Sequence, residues 1–173
     1  MEIPAQRQVY LALGTNLGDR LTNFKKALRA LSPDIVPVRC SPVYKTAPWG
    51  VTDQPAFLNM VVEARTVLPP IKVLQTLKKI EVHLGRVPTI RNGPRLIDLD
   101  ILFYDNRIEK QDMLEIPHPR MEGRGFVLKP LADLAADFVH PVSGETVQQM
   151  LERCDLTGIT LYPLPEGFDF LES

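Results

Sequence analysis

Residues 91–105 read RNGPRLIDLDILFYD, an apolar run that carries Asp98 and Asp100 in its middle. The bulky apolar residues from Leu96 to Tyr104 predict a buried strand. Side chains two apart on a strand share a face. Ile97, Leu99, Ile101 and Phe103 then form one wholly apolar face, and Leu96, Asp98, Asp100, Leu102 and Tyr104 form the other. Neighbouring carboxylates in such surroundings cannot both ionise cheaply unless something neutralises them. Mg²⁺ does this well, because it takes one or two carboxylates and completes its shell with water and substrate phosphates. Two metals about 3.5–4 Å apart clamp an in-line displacement, and Asp-x-Asp suits that arrangement. An isolated Asp-x-Asp more often sits solvated at a sheet end or pairs with arginine. Here Arg86, Arg91 and Arg95 lie just upstream, around Gly93 and Pro94. Arginine is the preferred bidentate partner of phosphate. Carboxylates for a metal beside guanidiniums for phosphate point to a nucleoside-triphosphate site.

The flanking sequence supplies the fold around this strand. PPIKVLQTLKKIEVHLG (69–85) opens on prolines and places Ile71, Leu74, Leu77, Ile80 and Leu84 on one helical face before Gly85. AFLNMVVEART (56–66) is a strand, and IVPVRCSPVYKT (35–46) an extended segment whose two prolines suit a sheet edge. QVYLALG (8–14) alternates as a strand, and Leu21, Phe24, Leu28 and Leu31 predict a helix over 19–31. Gly14 and Gly18 are expected to serve the tight turn between these two. After Asp105-Asn106 come a short extended piece, the loop IPHPRMEGRG (116–125), and helices near 125–137 and 145–153; the last twenty residues read as irregular. The order β-α-β-β-α-β predicts an α+β, ferredoxin-like antiparallel sheet with helices packed on one face and C-terminal additions. One domain over residues 1–173 is expected.

Composition narrows the function. The 173 residues are 45% hydrophobic, with a formal net charge of −1. That balance does not suit a chain built to coat nucleic acid or an anionic membrane. The two cysteines, Cys40 and Cys154, form neither a disulfide framework nor a zinc-type spacing. No apolar run reaches spanning length and the N-terminus lacks a signal pattern, so a soluble cytoplasmic protein is expected; a monomer or weak dimer is the expected state, although no residue pattern sets it.

Two further stretches carry chemistry. In IPHPRMEGRGF (116–126), His118, Arg120 and Arg124 add donors, while Gly123 and Gly125 allow close backbone approach. In YKTAPWGVTDQPAFLNMVV (44–62), Phe57 and Asn59 share a strand face near Trp49. A ring for stacking and an amide with donor and acceptor suit a flat heterocycle, although on these residues alone a core Phe and a turn Asn is the simpler reading. Neither a P-loop nor a G-x-G-x-x-G motif occurs.

RNGPRLIDLDIL resembles the signature of the 6-hydroxymethyl-7,8-dihydropterin pyrophosphokinase family. LALGTNLGDR, SPVYKTAPWG, DQPAFLNMVV, IEVHLGR and IPHPRMEGRGFVLKPLADL resemble further family segments in the right order, so the resemblance covers about residues 8–155. It implies transfer of pyrophosphate from ATP to the pterin hydroxymethyl group, releasing AMP, with two Mg²⁺ ions, in folate biosynthesis. It places both ions on Asp98 and Asp100, and catalytic arginines at Arg86 and Arg95. ATP contacts fall on Glu81, Arg86, Arg95, Ile101, His118 and Arg124. Pterin contacts fall on the loop backbone at Thr46, Pro48 and Trp49, and on Phe57, Asn59, Asp98 and Phe126. The sequence departs from the family pattern at Asn92, where members often carry Trp, at Pro119, where some carry Tyr, and in a shorter 86–95 loop.

This chemistry asks the protein mainly for positioning and charge stabilisation. The loops 47–55 and 86–94 are expected lids against water. A nucleic-acid-binding module would put exposed aromatics on the central strand, where this chain has aspartates. Another metal-dependent nucleotidyl-transfer enzyme would need a polynucleotide groove, and a regulatory ligand-binding domain would not need the carboxylate pair.

Overall fold

A run of alternating residues from Arg7 to Thr15 forms β1, the strand around which the molecule is built. This computed structural model describes residues 5–47, 53–85 and 95–172. Pro48, Trp49, Arg86 and Asn92, and most of both expected lid loops, lie outside them. β1 pairs antiparallel with β4 (Phe57–Thr66) and with β5 (Asp98–Tyr104). The far edge of β4 carries β2 (Ile35–Cys40) and β3 (Tyr44–Thr46), also antiparallel. With α1 (Arg20–Leu31) and α2 (Pro70–His83) this is the expected ferredoxin-like unit.

Local chemistry explains the boundaries. Gly18, at φ 65°, turns the chain, and Asp19 caps α1 by accepting the Thr22 N–H at 3.1 Å. Pro70 opens α2, where its missing N–H costs nothing. The expected single segment over 35–46 divides in two at Ser41-Pro42. There the Ser41 hydroxyl accepts the Val61 N–H at 2.9 Å, a ladder bond made by a side chain. α1 buries Phe24, Ala27, Leu28 and Leu31, and α2 buries Val73, Leu77 and Ile80, against Val9, Leu11, Leu13, Leu99 and Ile101 on the first face of the sheet.

Three expectations need correction. Helices cover both faces, not one. α3 (Gly125–Ala135) and α4 (Val147–Glu152) pack Leu128, Leu131 and Met150 onto Tyr10, Val61, Leu102 and Phe103 on the second face. Both faces of the sheet are apolar there, and each must be buried. Second, the strict alternation read for 96–104 breaks. Val9 and Tyr10 pair with Tyr104 and Phe103, but Leu11 pairs with Ile101, so Leu102 is an extra residue in a β-bulge. Leu102 and Phe103 therefore both face α3, and Tyr104 turns to the first face. Third, the C-terminal segment is not wholly irregular. After the β6–β7 hairpin (Glu109–Gln111, Leu114–Ile116), β8 (Ile159–Leu161) extends the sheet beside β3. Phe170 then enters the first core edge-on to Phe24, with ring centroids 6.0 Å apart. Cys40 and Cys154 are free thiols.

Candidate active site

Antiparallel register builds the floor of the site. Gly14 of β1 lies directly between Asp98 of β5 and Asn59 of β4, and Ala12 lies between Asp100 and Val61. Carboxylates thus stand at one side of the second face and an amide at the other, with only a glycine and an alanine between them. The depression above them is a cleft of about 510 Å³. Thr46 and Phe57 wall it on the amide side; Arg95, His118, Arg120 and Arg124 wall it on the carboxylate side, and Phe126 and Val127 come from the first turn of α3. Ten residues singled out in the sequence for their chemistry meet here: Thr46, Phe57, Asn59, Arg95, Asp98, Asp100, His118, Arg120, Arg124 and Phe126.

Each side chain is held by its element. The Asn59 amide donates to the Thr46 hydroxyl at 3.2 Å. Arg95 Nε stands 3.7 Å from Asp98, and Lys78 Nζ 4.0 Å from Asp100. The two aspartate side chains are 31% and 44% exposed, so they are less enclosed than the apolar sequence around them suggested. The bulge at Leu102 frees its carbonyl to accept the His118 N–H at 3.1 Å, which fixes the histidine at the mouth of the cleft. Burial lowers the His118 pKa; Asp100 opposes this, and Arg124 and Arg120 reinforce it. His118 Nδ1 accepts the Arg120 N–H at 3.2 Å, so the neutral ring carries its proton on Nε2. Burial, then the charge of Arg120, also lowers the Arg124 pKa, against the pull of Asp100 and Asp98, and its guanidinium lies 5.7 Å from the Phe126 ring centre.

Two expected ATP residues do not place their side chains in the cleft. Ile101 is 5% exposed and belongs to the first-face core. Glu81 is 3% exposed on α2, where its carboxylate accepts the Leu99 N–H at 2.8 Å and pairs with Lys78 at 3.3 Å. It grips β5 between the two aspartates, from behind. At Gly125 a Cβ would meet Leu156 at 2.8 Å and Ile159 at 2.9 Å, so the bare glycine admits the C-terminal segment.

Sequence reasoning missed Asn16, which it read only as part of a turn. This 1%-exposed amide accepts the Arg95 N–H at 2.7 Å and donates to Gln54 and to the Pro55 carbonyl, at 2.9 and 3.0 Å. One side chain thereby ties the strand carrying Asp98 to the segment leading into Phe57. Its signal was slight: a single Asn just past a strand end.

The donor set suits a hard divalent cation. Asp98 and Asp100 offer oxygens on one face, and among the described residues no cluster of three or more His, Cys, Asp or Glu could enclose a metal. A cation held here must take further ligands from water or a bound phosphate, as Mg²⁺ commonly does.

The model of the family 7,8-dihydro-6-hydroxymethylpterin-pyrophosphokinase matches residues 10–136. A Synechocystis 2-amino-4-hydroxy-6-hydroxymethyldihydropteridine pyrophosphokinase is 41% identical over 161 residues, covering 92% of this chain and 81% of the relative. A protein of the same name from Methylorubrum extorquens is 42% identical over 154 residues, covering 88% and 96%. The folic acid synthesis protein fol1 of Pneumocystis carinii is 44% identical over 146 residues, and this chain spans only 20% of its length. Among solved structures, Plasmodium falciparum HPPK-DHPS with pterin and p-hydroxybenzoate superposes with a TM-score of 0.69 at 16% identity, over 87% of this chain and 42% of the other. That likeness shows the shared fold.

Proposed function

Because this chain belongs to the 7,8-dihydro-6-hydroxymethylpterin-pyrophosphokinase family, we propose that it transfers pyrophosphate from ATP to 6-hydroxymethyl-7,8-dihydropterin in folate biosynthesis. The observation that carries this is the row Asp98–Gly14–Asn59, which sets a heterocycle anchor and a cation-binding pair across one open floor. The pterin lies between Phe57 and Phe126, with its polar edge on Asn59 and Thr46. Its hydroxymethyl group then points toward Asp98. In the reaction the hydroxyl oxygen bonds to the β-phosphorus of ATP, the bond from that phosphorus to the α,β-bridging oxygen breaks, and AMP departs with the bridging oxygen. The hydroxyl proton passes to solvent.

Asp98 and Asp100 would hold Mg²⁺, two ions by family resemblance, which when bound neutralises triphosphate charge and orients the phosphates. Arg95 and Arg124 place fixed positive charge beside the transferred group, and the His118 Nε2–H supplies a hydrogen bond without a further charge. These groups are already positioned, so little reorganisation is needed as charge shifts onto AMP. Ordering the two substrates on one floor supplies the rest. Arg86, Pro48 and Trp49 join the same reading from their sequence positions. The protein acts on small molecules, as a monomer or weak dimer in the cytoplasm; no helix among the described residues is long and apolar enough to cross a membrane.

The test is AMP release with ATP, Mg²⁺ and the pterin. AMP should appear only when all three are present. Asp98→Ala and Asp100→Ala should each lower turnover by at least about 10²–10³-fold, with melting temperatures close to wild type because both side chains are partly exposed. No AMP from a folded protein that binds ATP sinks the reading, and ordinary turnover in either variant sinks the role of the carboxylates.

A further inference from the structure

Gly14 lies outside the left-handed region of φ, so its backbone does not require glycine. Its surroundings do. A Cβ built at residue 14 would lie 2.9 Å from Asn59 Oδ1, about 0.5 Å inside the 3.4 Å at which ordinary contact begins. The other neighbour, the Leu58 carbonyl, is at a comfortable 3.9 Å. The amide oxygen of Asn59 therefore rests on the bare Cα side of Gly14, while its nitrogen donates to Thr46 at 3.2 Å. These two contacts fix the amide from both ends. Gly14 is also the cross-strand neighbour of Asp98, so a side chain at residue 14 would stand between the anchor and the carboxylate.

We infer that Gly14 is a positioning residue for the pterin: the lack of a side chain there sets where the Asn59 amide lies and keeps the path to Asp98 open. The inference rests on the pterin reading of the cleft. An added methyl is accommodated by the far end of Asn59, not by backbone, so the fold survives while the amide is displaced and its bond to Thr46 is strained. An error of this size at a group that orients the reacting oxygen is costly, because rate depends steeply on alignment.

The experiment measures pterin and ATP binding separately, by calorimetry with a non-hydrolysable ATP analogue and Mg²⁺, and then KM and kcat, for wild type, Gly14→Ala, Asn59→Ser and the double variant. Gly14→Ala should fold as wild type, weaken pterin binding about tenfold or more, and leave ATP-analogue binding within about twofold. In the Asn59→Ser background, where the side chain ends before the clash, the further loss on adding Gly14→Ala should be several-fold smaller; that coupling is what a merely structural role would not produce. Pterin binding by Gly14→Ala within twofold of wild type overturns the inference. So does a Gly14→Ala protein that fails to fold or loses both ligands equally, since the methyl is then not absorbed by Asn59. Equal penalties in the two backgrounds also overturn it. Wild type that binds the ATP analogue but no pterin overturns the functional reading and this inference together.

Discussion

Asp98 with Asp100, and Phe57 with Asn59, could each be read as sharing one strand face because strand alternation is a local rule, obeyed on β5 up to Leu102. Asn16 could not, since its value lies in three partners separated from it in sequence by up to 79 positions. His140 joins near and distant partners. It is 6% exposed, lies edge-on to Phe103 at 5.7 Å, and its Nδ1 accepts the N–H groups of Val142 and Ser143 at 3.2 and 3.1 Å. Burial lowers its pKa from the usual 6.5, against the opposing pull of Glu122 and Glu145. The unfolded chain thus takes up a proton below about pH 6.5 that the folded chain refuses. The His140 contribution to stability is fully present above pH 6.5 and declines as pH falls through that value toward the lowered folded pKa. Titration of the His140 ring by NMR should give a midpoint below 6.5; a midpoint above it would refute the assignment of His140 as a neutral acceptor.

At the scale of elements, β5 shows how a strand is made into a site. Its inner edge pairs with β1, its bulge carbonyl holds His118, and Glu81 of α2 takes the Leu99 N–H between the two aspartates. Glu81→Ala would leave that buried donor without its acceptor, a loss of about 1–3 kcal/mol. The urea midpoint should fall accordingly, and turnover should fall with it because Asp98 and Asp100 flank Leu99. Glu81→Gln, which keeps an acceptor oxygen, should recover most of the stability; equal losses in the two variants would show that the hydrogen bond is not the source. The elements β1, α1 and α2 were legible because each carries a clear period, and β4 and β5 because each is a short apolar run bounded by turn signals. The break at Ser41-Pro42 and the extra residue at Leu102 were not. Both are adjustments of pairing to a partner strand, and a bulged strand has the same composition as a straight one.

For the whole molecule, two apolar cores sandwich one sheet, and the segment after α4 closes the first of them. Phe170 is 7% exposed and meets both Phe24 and Phe168 edge-on. Phe170→Ala should cost about 3–5 kcal/mol, which for a chain of this size lowers the melting temperature by roughly 10 °C. Leu171→Ala, beside it but 40% exposed, should change little. Assayed well below their melting temperatures, both variants should keep wild-type kcat, since Phe170 packs on the face opposite the cleft. A Phe170→Ala protein as stable as wild type would mean that the C-terminal segment merely lies on the surface.

By itself the sequence determined the order of elements, the ferredoxin-like unit, the family and most of the cleft side chains, because periodicity, glycine and proline signals and ordered motifs are all local. Only the tertiary structure decided that helices cover both faces, that Leu102 bulges and so seats His118, that Glu81 grips the sheet from behind, and that Gly14 carries Asn59. Each of these depends on which backbone lies beside which. Cross-strand register sets that, and a single chain of letters does not display it.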